Sequence, residues 1–243
     1  MIKRPTLLAL VVVLVAALSS QASMLGSVSS ITHPSAKNAS VLILLRDGFA
    51  SLRLGMNWRD GSRHANWRDR WNGMGRVGIA LDGTKVLAEQ PKTSRWSGET
   101  HSALVTSLKT FGDMEVTLKV KTVKQLRTPR PNSWEMGWVL WHYRDNLHFY
   151  YLMLKTNGWE LGKEDPAYRG NMRTMVRRYS PKFHTRTWYA ITVLMVGRRI
   201  AIWVNGRLLG TFRDWQRPYY SGRLGLYCED SRAEFDNVLV TKA

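Results

Sequence analysis

The sequence contains very little cysteine, since Cys228 is the only cysteine among 243 residues. An intramolecular disulfide is therefore excluded, and with it the class of small secreted scaffolds that several disulfides stabilise. Stability has to come from the packing of a hydrophobic core, with or without a bound metal. A chain of this length can bury one substantial core as a single domain.

Sustained helical periodicity is also missing. Outside one N-terminal segment, no window places apolar residues at positions i, i+3, i+4 and i+7, and glycine and aromatic residues recur too densely for long helices. The sequence has no glycine-rich phosphate-binding loop and no alternation of strands with helices that would carry one. These absences exclude helical bundles and nucleotide-binding α/β folds.

Long hydrophobic runs are absent except for residues 7–18, which follow Lys3 and Arg4. This run of 12 residues is too short to cross roughly 30 Å of hydrocarbon at about 1.5 Å per residue. Small residues at its end suit cleavage after Ala22. We therefore predict a signal peptide over residues 1–22, with an uncleaved anchor as the alternative.

The predicted signal peptide indicates a protein of the cell envelope or the medium, with no transmembrane span after cleavage. Residues 23–40 are rich in Ser and Ala without a period, which predicts a linker. Residues 41–243 are then expected to form one domain.

Acidic residues are scarce, with 18 Asp and Glu against 36 Lys and Arg and a formal net charge of +18. An exported chain with this excess is attracted to acidic polysaccharides, envelope polymers or lipid headgroups. Basic clusters interleaved with aromatic residues occur at 59–76, 127–130 and 173–182, a mixture that also suits single-stranded nucleic acid. The export signal argues against a nucleic-acid partner, so we favour an anionic glycan or the cell envelope.

The dominant signal from Val41 onward has a period of two residues. Apolar and polar residues alternate over 114–121, which is typical of a strand with one face in the core and one in water. The same reasoning predicts strands over 75–81, 134–143, 147–155, 187–196, 198–204, 222–228 and 233–240.

Dipeptides that tolerate positive φ separate several of these strands and predict hairpins: Asp82-Gly83, Asn157-Gly158 and Asn205-Gly206. The Trp- and Arg-rich stretch 57–74 has weak periodicity and is interpreted as a long loop with one irregular strand. Antiparallel strands at this spacing indicate an all-β sandwich or barrel.

A series of short strings runs through the second half of the sequence in a distinctive order. They begin with Asn132-Ser133-Trp134-Glu135-Met136-Gly137-Trp138, Phe149-Tyr150-Tyr151-Leu152 and Asn157-Gly158-Trp159-Glu160-Leu161-Gly162-Lys163. They continue with Trp188-Tyr189, Val204-Asn205-Gly206 and Gly222-Arg223-Leu224-Gly225-Leu226-Tyr227, and close with Phe235-Asp236-Asn237-Val238. This series resembles the concanavalin A-like lectin/glucanase superfamily, and within it the bacterial secreted domains described as 3-keto-disaccharide hydrolase or family-16-like.

The resemblance covers residues 47–240 and rests on the order of the strings, since each string alone is common in sandwiches. It implies a two-sheet antiparallel jelly roll whose curved sheet holds glycans across its concave face. The glucanases of the superfamily carry a Glu-x-Asp-x-x-Glu pattern on one strand. This sequence lacks the pattern, so their catalytic machinery cannot be transferred to it.

Alternation on the predicted strand 134–143 suggests which residues line such a groove. One face carries Glu135, Gly137, Val139, Trp141 and Tyr143, and the other carries Trp134, Met136, Trp138, Leu140 and His142. The first face fits a groove floor and the second fits the core. We therefore predict a carbohydrate platform formed by Trp141, Tyr143, Tyr151, Lys155 and Trp159, with an ordinary solvent-exposed surface as the alternative.

Two carboxylates are the minimum for glycoside hydrolysis, about 5 to 5.5 Å apart for a retaining enzyme. Glu135 and Glu160 are the candidates, and the alternative for Glu160 is an ion pair with Lys155 or Arg173. A polysaccharide lyase would need a cation and a Tyr or His base. Suitable residue types are present, but no motif joins them: Arg127, Arg130, Lys155, Tyr143, Tyr151, His142 and His148.

The six histidines are scattered without His-x-His or His-x-x-x-His spacing, so a zinc site is not expected. The resemblance implies a structural calcium near the first and last strands, for which Asp47 and Asp236 are the candidates, with a turn and a cap as their alternative roles. The main hypothesis is a non-catalytic carbohydrate-binding domain. A glycan-cleaving enzyme using the same groove and an envelope-adhering structural protein are the alternatives.

Overall fold

The computed structural model describes residues 41–96 and 98–243, and this part of the chain contains sixteen β-strands and no helix. The strands are β1 (Ile43–Asp47), β2 (Arg63–His64), β3 (Trp67–Trp71), β4 (Arg76–Asp82), β5 (Thr84–Gln90), β6 (Ser102–Phe111), β7 (Met114–Gln125), β8 (Gly137–Asp145), β9 (His148–Lys155), β10 (Gly158–Glu164), β11 (Met172–Arg178), β12 (Tyr189–Val196), β13 (Arg199–Val204), β14 (Arg207–Arg213), β15 (Gly222–Glu229) and β16 (Ser231–Lys242). The predicted signal peptide and linker lie outside the described residues. The described residues contain no helix that is long and apolar enough to cross a membrane.

The strands form two antiparallel sheets of eight strands each. The back sheet has the order β14-β13-β12-β7-β16-β5-β4, with β1 also paired to β16. The front sheet has the order β11-β10-β9-β8-β15-β6-β3-β2. This architecture confirms the predicted all-β, two-sheet jelly-roll sandwich.

The predicted strands and hairpins correspond closely to those observed. The three dipeptides with positive φ connect β4 to β5, β9 to β10 and β13 to β14, with φ of 74° at Gly83, 143° at Gly158 and 50° at Asn205. The interpretation of 57–74 as a loop with one irregular strand was incomplete, because β2 and β3 both form there. These two short strands close one edge of the front sheet.

One hydrophobic core fills the space between the sheets. The back sheet contributes the alternating apolar residues of β7, and the front sheet contributes Val139 and Trp141 of β8 and Leu152 of β9, all almost fully buried. A second, smaller cluster lies on the other face of the front sheet and includes Trp138 and Tyr151. The front sheet therefore carries apolar side chains on both faces, which is typical of a sheet that has a core behind it and a binding surface in front.

Candidate functional site

The face of the front sheet that points away from the back sheet contains a groove formed by two adjoining hollows. The first has a volume of about 240 Å³ and is lined by residues of β3, β6, β8, β9, β10, β11 and β15. The second, of about 280 Å³, extends toward Trp134 and Arg177. Trp138, Met172 and Glu229 line both hollows, so the two form one continuous groove.

Aromatic rings make up the floor and one rim of the groove. Trp138 on β8 packs between Tyr151 on β9 and Tyr227 on β15, with ring centroids 5.4 and 5.0 Å away. Trp134 lies just before β8, lines the second hollow and is 42% exposed. The indole N–H of Trp138 donates to the backbone oxygen of Trp134 at 2.9 Å, which ties the rim to the floor.

A bulge in β8 determines which of its residues face the groove. The pairing of β8 with β9 shifts between Trp141 and Asp145, and His142 within this segment has a φ of 49°. The His142 ring lies within hydrogen-bonding distance of the backbone oxygens of Tyr219 and Gly112, at 2.7 and 3.0 Å. The bulge breaks the alternation of side chains along β8. Odd-numbered residues before the bulge and odd-numbered residues after it therefore point to opposite faces of the sheet.

The prediction of which β8 residues face the groove is therefore wrong for the residues that precede the bulge. Trp141 is fully buried between the sheets, where its indole N–H donates to the sulfur of Met195 at 3.1 Å. Trp138, which the sequence pattern assigned to the core, lines the groove instead. Tyr143 follows the bulge and does line the first hollow, where its hydroxyl donates to Asn146 at 2.6 Å.

Trp159 also lies in the core and not on the predicted platform. It is 2% exposed and pairs with Leu154, a core residue of β9. Its indole N–H donates to the backbone oxygen of Ser180 at 3.2 Å, and its ring meets Phe212 edge-on at 6.0 Å. The turn between β9 and β10 sets this register, so the ring cannot reach the groove.

The structure brings together three of the predicted site residues, Tyr151, Lys155 and Glu160, on the groove side of β9 and β10. Glu160 accepts hydrogen bonds from Lys155 at 3.1 Å, Arg177 at 2.7 Å, Tyr151 at 3.1 Å and Thr174 at 3.0 Å. Burial alone would raise the pKa of Glu160, but the hydrogen bonds from Arg177 and Lys155 lower it overall. Glu160 is therefore an ionised, firmly held carboxylate.

Gly162 makes room for this arrangement. A Cβ atom at this position would lie 2.2 Å from the Tyr151 hydroxyl oxygen, so the absence of a side chain lets the ring cross β10. Burial and the nearby charge of Glu160 raise the pKa of Tyr151, which keeps its phenol a neutral hydrogen-bond donor to that carboxylate.

Glu135, the other predicted catalytic residue, lies outside the groove. It is fully buried and forms an ion pair with Arg127, whose guanidinium also contacts Asp230 at 2.6 Å. Its second oxygen accepts the backbone N–H of Asn132 at 3.0 Å. Glu135 thus stabilises the segment before β8, and the prediction that it faces the groove is wrong.

Two groove carboxyls were missed by sequence reasoning. Glu164 and Glu229 both line the first hollow. Burial raises the pKa of Glu164 to about 7. Burial also raises the pKa of Glu229, although a hydrogen bond from the Tyr227 hydroxyl at 3.0 Å opposes the rise. The alternation of Glu160, Gly162 and Glu164 along β10 was the available signal for the first of these carboxyls.

The groove therefore holds carboxyls of two kinds. Glu160 stays ionised because two cations contact it, whereas Glu164 and Glu229 have no cationic partner within the described residues and hold their protons to higher pH. Divergent pKa values in one site are typical of acid–base chemistry and of recognition of hydroxyl groups.

The two predicted calcium ligands accept hydrogen bonds in the structure. Asp47 accepts the backbone N–H of Phe49 at 2.8 Å, the Asn66 amide at 3.0 Å and the Trp67 indole at 2.9 Å, so N–H donors already occupy its carboxylate. Asp236 accepts from the backbone N–H of Asn237 at 2.7 Å. No group of three His, Cys, Asp or Glu suited to a metal occurs in residues 41–96 and 98–243. Calcium binding by Asp47 and Asp236 together with backbone oxygens stays a prediction.

Comparison with solved structures shows the same fold at low identity. The carbohydrate binding module CBM66 from Bacillus subtilis matches with a TM-score of 0.53 and 14% identity, covering 73% of this chain and 96% of that one. A protein with a galectin-like fold from Bacillus subtilis matches with a TM-score of 0.55 and 13% identity, over 83% and 96%. A Bacillus licheniformis beta-glucanase matches with a TM-score of 0.51 and 9% identity, over 85% and 100%.

Among curated proteins, no sequence matches the chain significantly. The model of one protein family, described as the 3-keto-alpha-glucoside-1,2-lyase-like domain, matches residues 56–241. The matched segment includes every strand that lines the groove and most of the back sheet. The predicted resemblance to concanavalin A-like jelly rolls is thereby confirmed, and the chain belongs to the 3-keto-alpha-glucoside-1,2-lyase-like domain family.

Proposed function

We propose that the groove of the front sheet binds a short, neutral saccharide. The observation that carries this proposal is the combination, in one groove, of the Trp134 and Trp138 rings with the carboxyls of Glu160, Glu164 and Glu229. Flat aromatic rings pack against the C–H faces of sugars, and carboxyl groups form hydrogen bonds with their hydroxyls. The module of similar fold from Bacillus subtilis, named as carbohydrate binding, supports the same use of this architecture.

The size of the groove fits such a ligand. Its two hollows, of about 240 and 280 Å³, together fall within the roughly 300–1,000 Å³ typical of small-molecule sites. Because the hollows are continuous, a chain of two or three sugar rings can lie along them. The predicted signal peptide leads us to place this binding in the cell envelope or the medium.

The charge of the groove favours a neutral sugar over the anionic glycan suggested by the overall charge of the chain. Three carboxyls line the groove against the cations Lys155 and Arg177, and Glu160 already neutralises both cations in part. An acidic sugar would bring its negative charge into a partly buried site whose two cations already pair with Glu160, which is unfavourable.

The test compares Trp134→Ala with the matched control Trp215→Ala, since Trp215 is 62% exposed and lies outside the groove. Calorimetric titrations would use maltose, trehalose and cellobiose as neutral probes and an oligogalacturonate as the acidic probe. We expect a neutral disaccharide to bind, Trp134→Ala to weaken it about tenfold, and Trp215→Ala to bind as the native protein does. Equal affinities for both variants, or binding of the acidic probe alone, would refute the proposal.

A second candidate function is cleavage of a 3-keto-α-glucoside in the same groove. The observation that favours it is Glu164, whose pKa of about 7 suits a general base at neutral pH. A ketone at C3 of a sugar makes the proton on C2 acidic. Glu164 would take this proton, the C1–O bond would break with formation of a C1–C2 double bond, and Glu229 would protonate the departing oxygen.

This elimination consumes no oxidant, reductant or water, so it can be followed with a single reagent. Methyl 3-keto-α-glucoside would be mixed with the protein, and ultraviolet absorption would report the conjugated product together with the methanol released. Cleavage that Glu164→Gln abolishes, with saccharide affinity retained, would make the domain a lyase. No product formation would leave the groove with a binding function.

A further inference from the structure

A second hollow of different character lies outside the groove, in the loop between β1 and β3. It has a volume of about 440 Å³. Its lining includes Arg53, Asn57, Trp58, Arg59, Ser62 and His64, and it shares no residue with the lining of the groove. We call it the basic pocket.

The positive charge of the basic pocket is not neutralised. Arg53 and Arg59 are exposed and form no ion pair within the described part of the chain, and no carboxylate lines the pocket. Asp60, the neighbouring acid in the sequence, accepts the backbone N–H of Asn72 at 2.9 Å. Two arginines without an ion pair therefore line one hollow, whereas Arg127 and Arg177 are paired.

The floor of the basic pocket is an ordered aromatic stack. The rings of Trp58 and His64 lie 4.0 Å apart at an angle of 5°. The Ser62 hydroxyl lies 2.8 Å from the His64 ring nitrogen Nε2, and burial lowers the pKa of His64. The floor is therefore neutral at pH 7, and the positive charge of the basic pocket comes from Arg53 and Arg59.

The loop that carries the pocket is anchored to the back sheet. The backbone N–H of Trp58 donates to the oxygen of Val77 at 2.9 Å, and Gly55 forms a bridge with Ile79 through two further backbone hydrogen bonds. Gly78 makes this approach possible, since a Cβ there would lie 2.2 Å from the backbone oxygen of Gly55. The pocket is thus held in shape before any ligand arrives.

We propose that the basic pocket binds the negatively charged group of an acidic polysaccharide, with the sugar ring beside the Trp58–His64 stack. Arginine presents a planar fork of donors that matches the oxygens of a carboxylate or sulfate. Asn57 and Ser62 add neutral hydrogen-bonding groups suited to hydroxyls. A hollow of this size accommodates a sugar ring, and the net charge of +18 attracts polyanions.

The test compares the double variant Arg53→Ala/Arg59→Ala with Arg46→Ala/Arg207→Ala. The second pair is also exposed and lies outside both sites, so both variants lose the same net charge. Affinity would be measured for polygalacturonate and dextran sulfate, with neutral dextran, phosphatidylglycerol vesicles and single-stranded DNA as further probes. Each titration would be repeated at two sodium chloride concentrations, and circular dichroism would verify folding.

We expect polygalacturonate or dextran sulfate to bind the native protein, neutral dextran not to compete, and Arg53→Ala/Arg59→Ala to weaken the binding at least tenfold and reduce its salt dependence. The Arg46→Ala/Arg207→Ala protein should bind nearly as the native protein does. Equal weakening in the two variants would overturn the proposal in favour of a diffuse charge effect. A loss confined to vesicles or DNA would overturn it in favour of those partners.

Discussion

The carboxyl of Asp69 makes the stability of the domain depend strongly on pH. Asp69 is fully buried between the sheets, and no hydrogen-bond donor of the described residues reaches either of its oxygens. Burial, together with the charge of Asp60, raises the pKa of Asp69 from 3.8 to about 7. Folding thus requires the carboxyl either to hold its proton or to be buried as an uncompensated charge.

The size of the effect follows from this pKa shift. At roughly 1.4 kcal/mol per pKa unit, the rise from 3.8 to about 7 corresponds to about 4 kcal/mol. The folded state binds more protons than the unfolded state between these two pKa values. The contribution of Asp69 is therefore most favourable below pH 3.8 and is lost progressively as the pH rises to about 7.

The Asp69→Asn variant removes this titration while keeping the size of the side chain. The unpartnered amide costs about as much as the unpartnered protonated carboxyl that it replaces, about 1–3 kcal/mol, so we expect near-native stability at pH 4 and higher stability than the native protein at pH 8. Urea unfolding between pH 4 and pH 9 would measure both. The slope of the free energy of unfolding against pH should become more positive by roughly 1.4 kcal/mol per pH unit between about pH 4 and pH 7.

Asp82→Asn is the control, because hydrogen bonds from Lys121 and Trp188 lower the pKa of Asp82. A carboxyl with a lowered pKa contributes stability above its unfolded pKa and loses it as the pH falls. This variant should therefore change the acid end of the profile and leave the slope between pH 4 and pH 7 as it is. An unchanged slope in Asp69→Asn would refute the reasoning on Asp69.

Three further outcomes follow from contacts described above. Gly162→Ala should displace Tyr151, because the new Cβ would overlap the phenol; we expect a loss of about 1–3 kcal/mol in urea unfolding and weaker saccharide binding, and unaltered affinity would contradict the packing. Glu135→Ala should cost about 3–5 kcal/mol, since Arg127 stays buried beside one fewer carboxylate, and a near-native unfolding midpoint would contradict it. Cys228 is fully buried, and burial and the nearby Glu89 raise its pKa well above the usual value, so a thiol reagent should modify it only in urea; rapid labelling of the folded protein would contradict this expectation.

Eight strands and three hairpins were predictable because alternation and turn residues act locally, whereas β1, β6 and β11 were not among the predicted strands. The register of the β9–β10 hairpin could also be predicted from the sequence. A two-residue turn after Lys155 pairs Trp159 with Leu154 and Glu160 with Met153, which places Trp159 in the core and Glu160 on the groove face. The assignment of Trp159 to the platform is wrong because it is inconsistent with this pairing.

The face of β8 could not be predicted from alternation alone. The bulge after Trp141 depends on contacts of His142 with Tyr219 and Gly112, which lie 77 and 30 residues away in the sequence. No local sequence pattern predicts contacts between residues so far apart in the sequence. Glu229 was missed for a related reason, because only the tertiary structure shows that β15 extends to this position and lies beside β8.

The sheet order gives the excess of arginine a further consequence. Three strands at the ends of the sheet orders, β14, β11 and β2, expose unpaired backbone groups to which another chain could add, whereas the loop at Gly55 pairs with the outer edge of β4. Each of the three strands carries arginine: Arg207 and Arg213 on β14, Arg173, Arg177 and Arg178 on β11, and Arg63 on β2. Two molecules that approach edge to edge along these strands bring like charges together, which disfavours the pairing of one sheet edge with another.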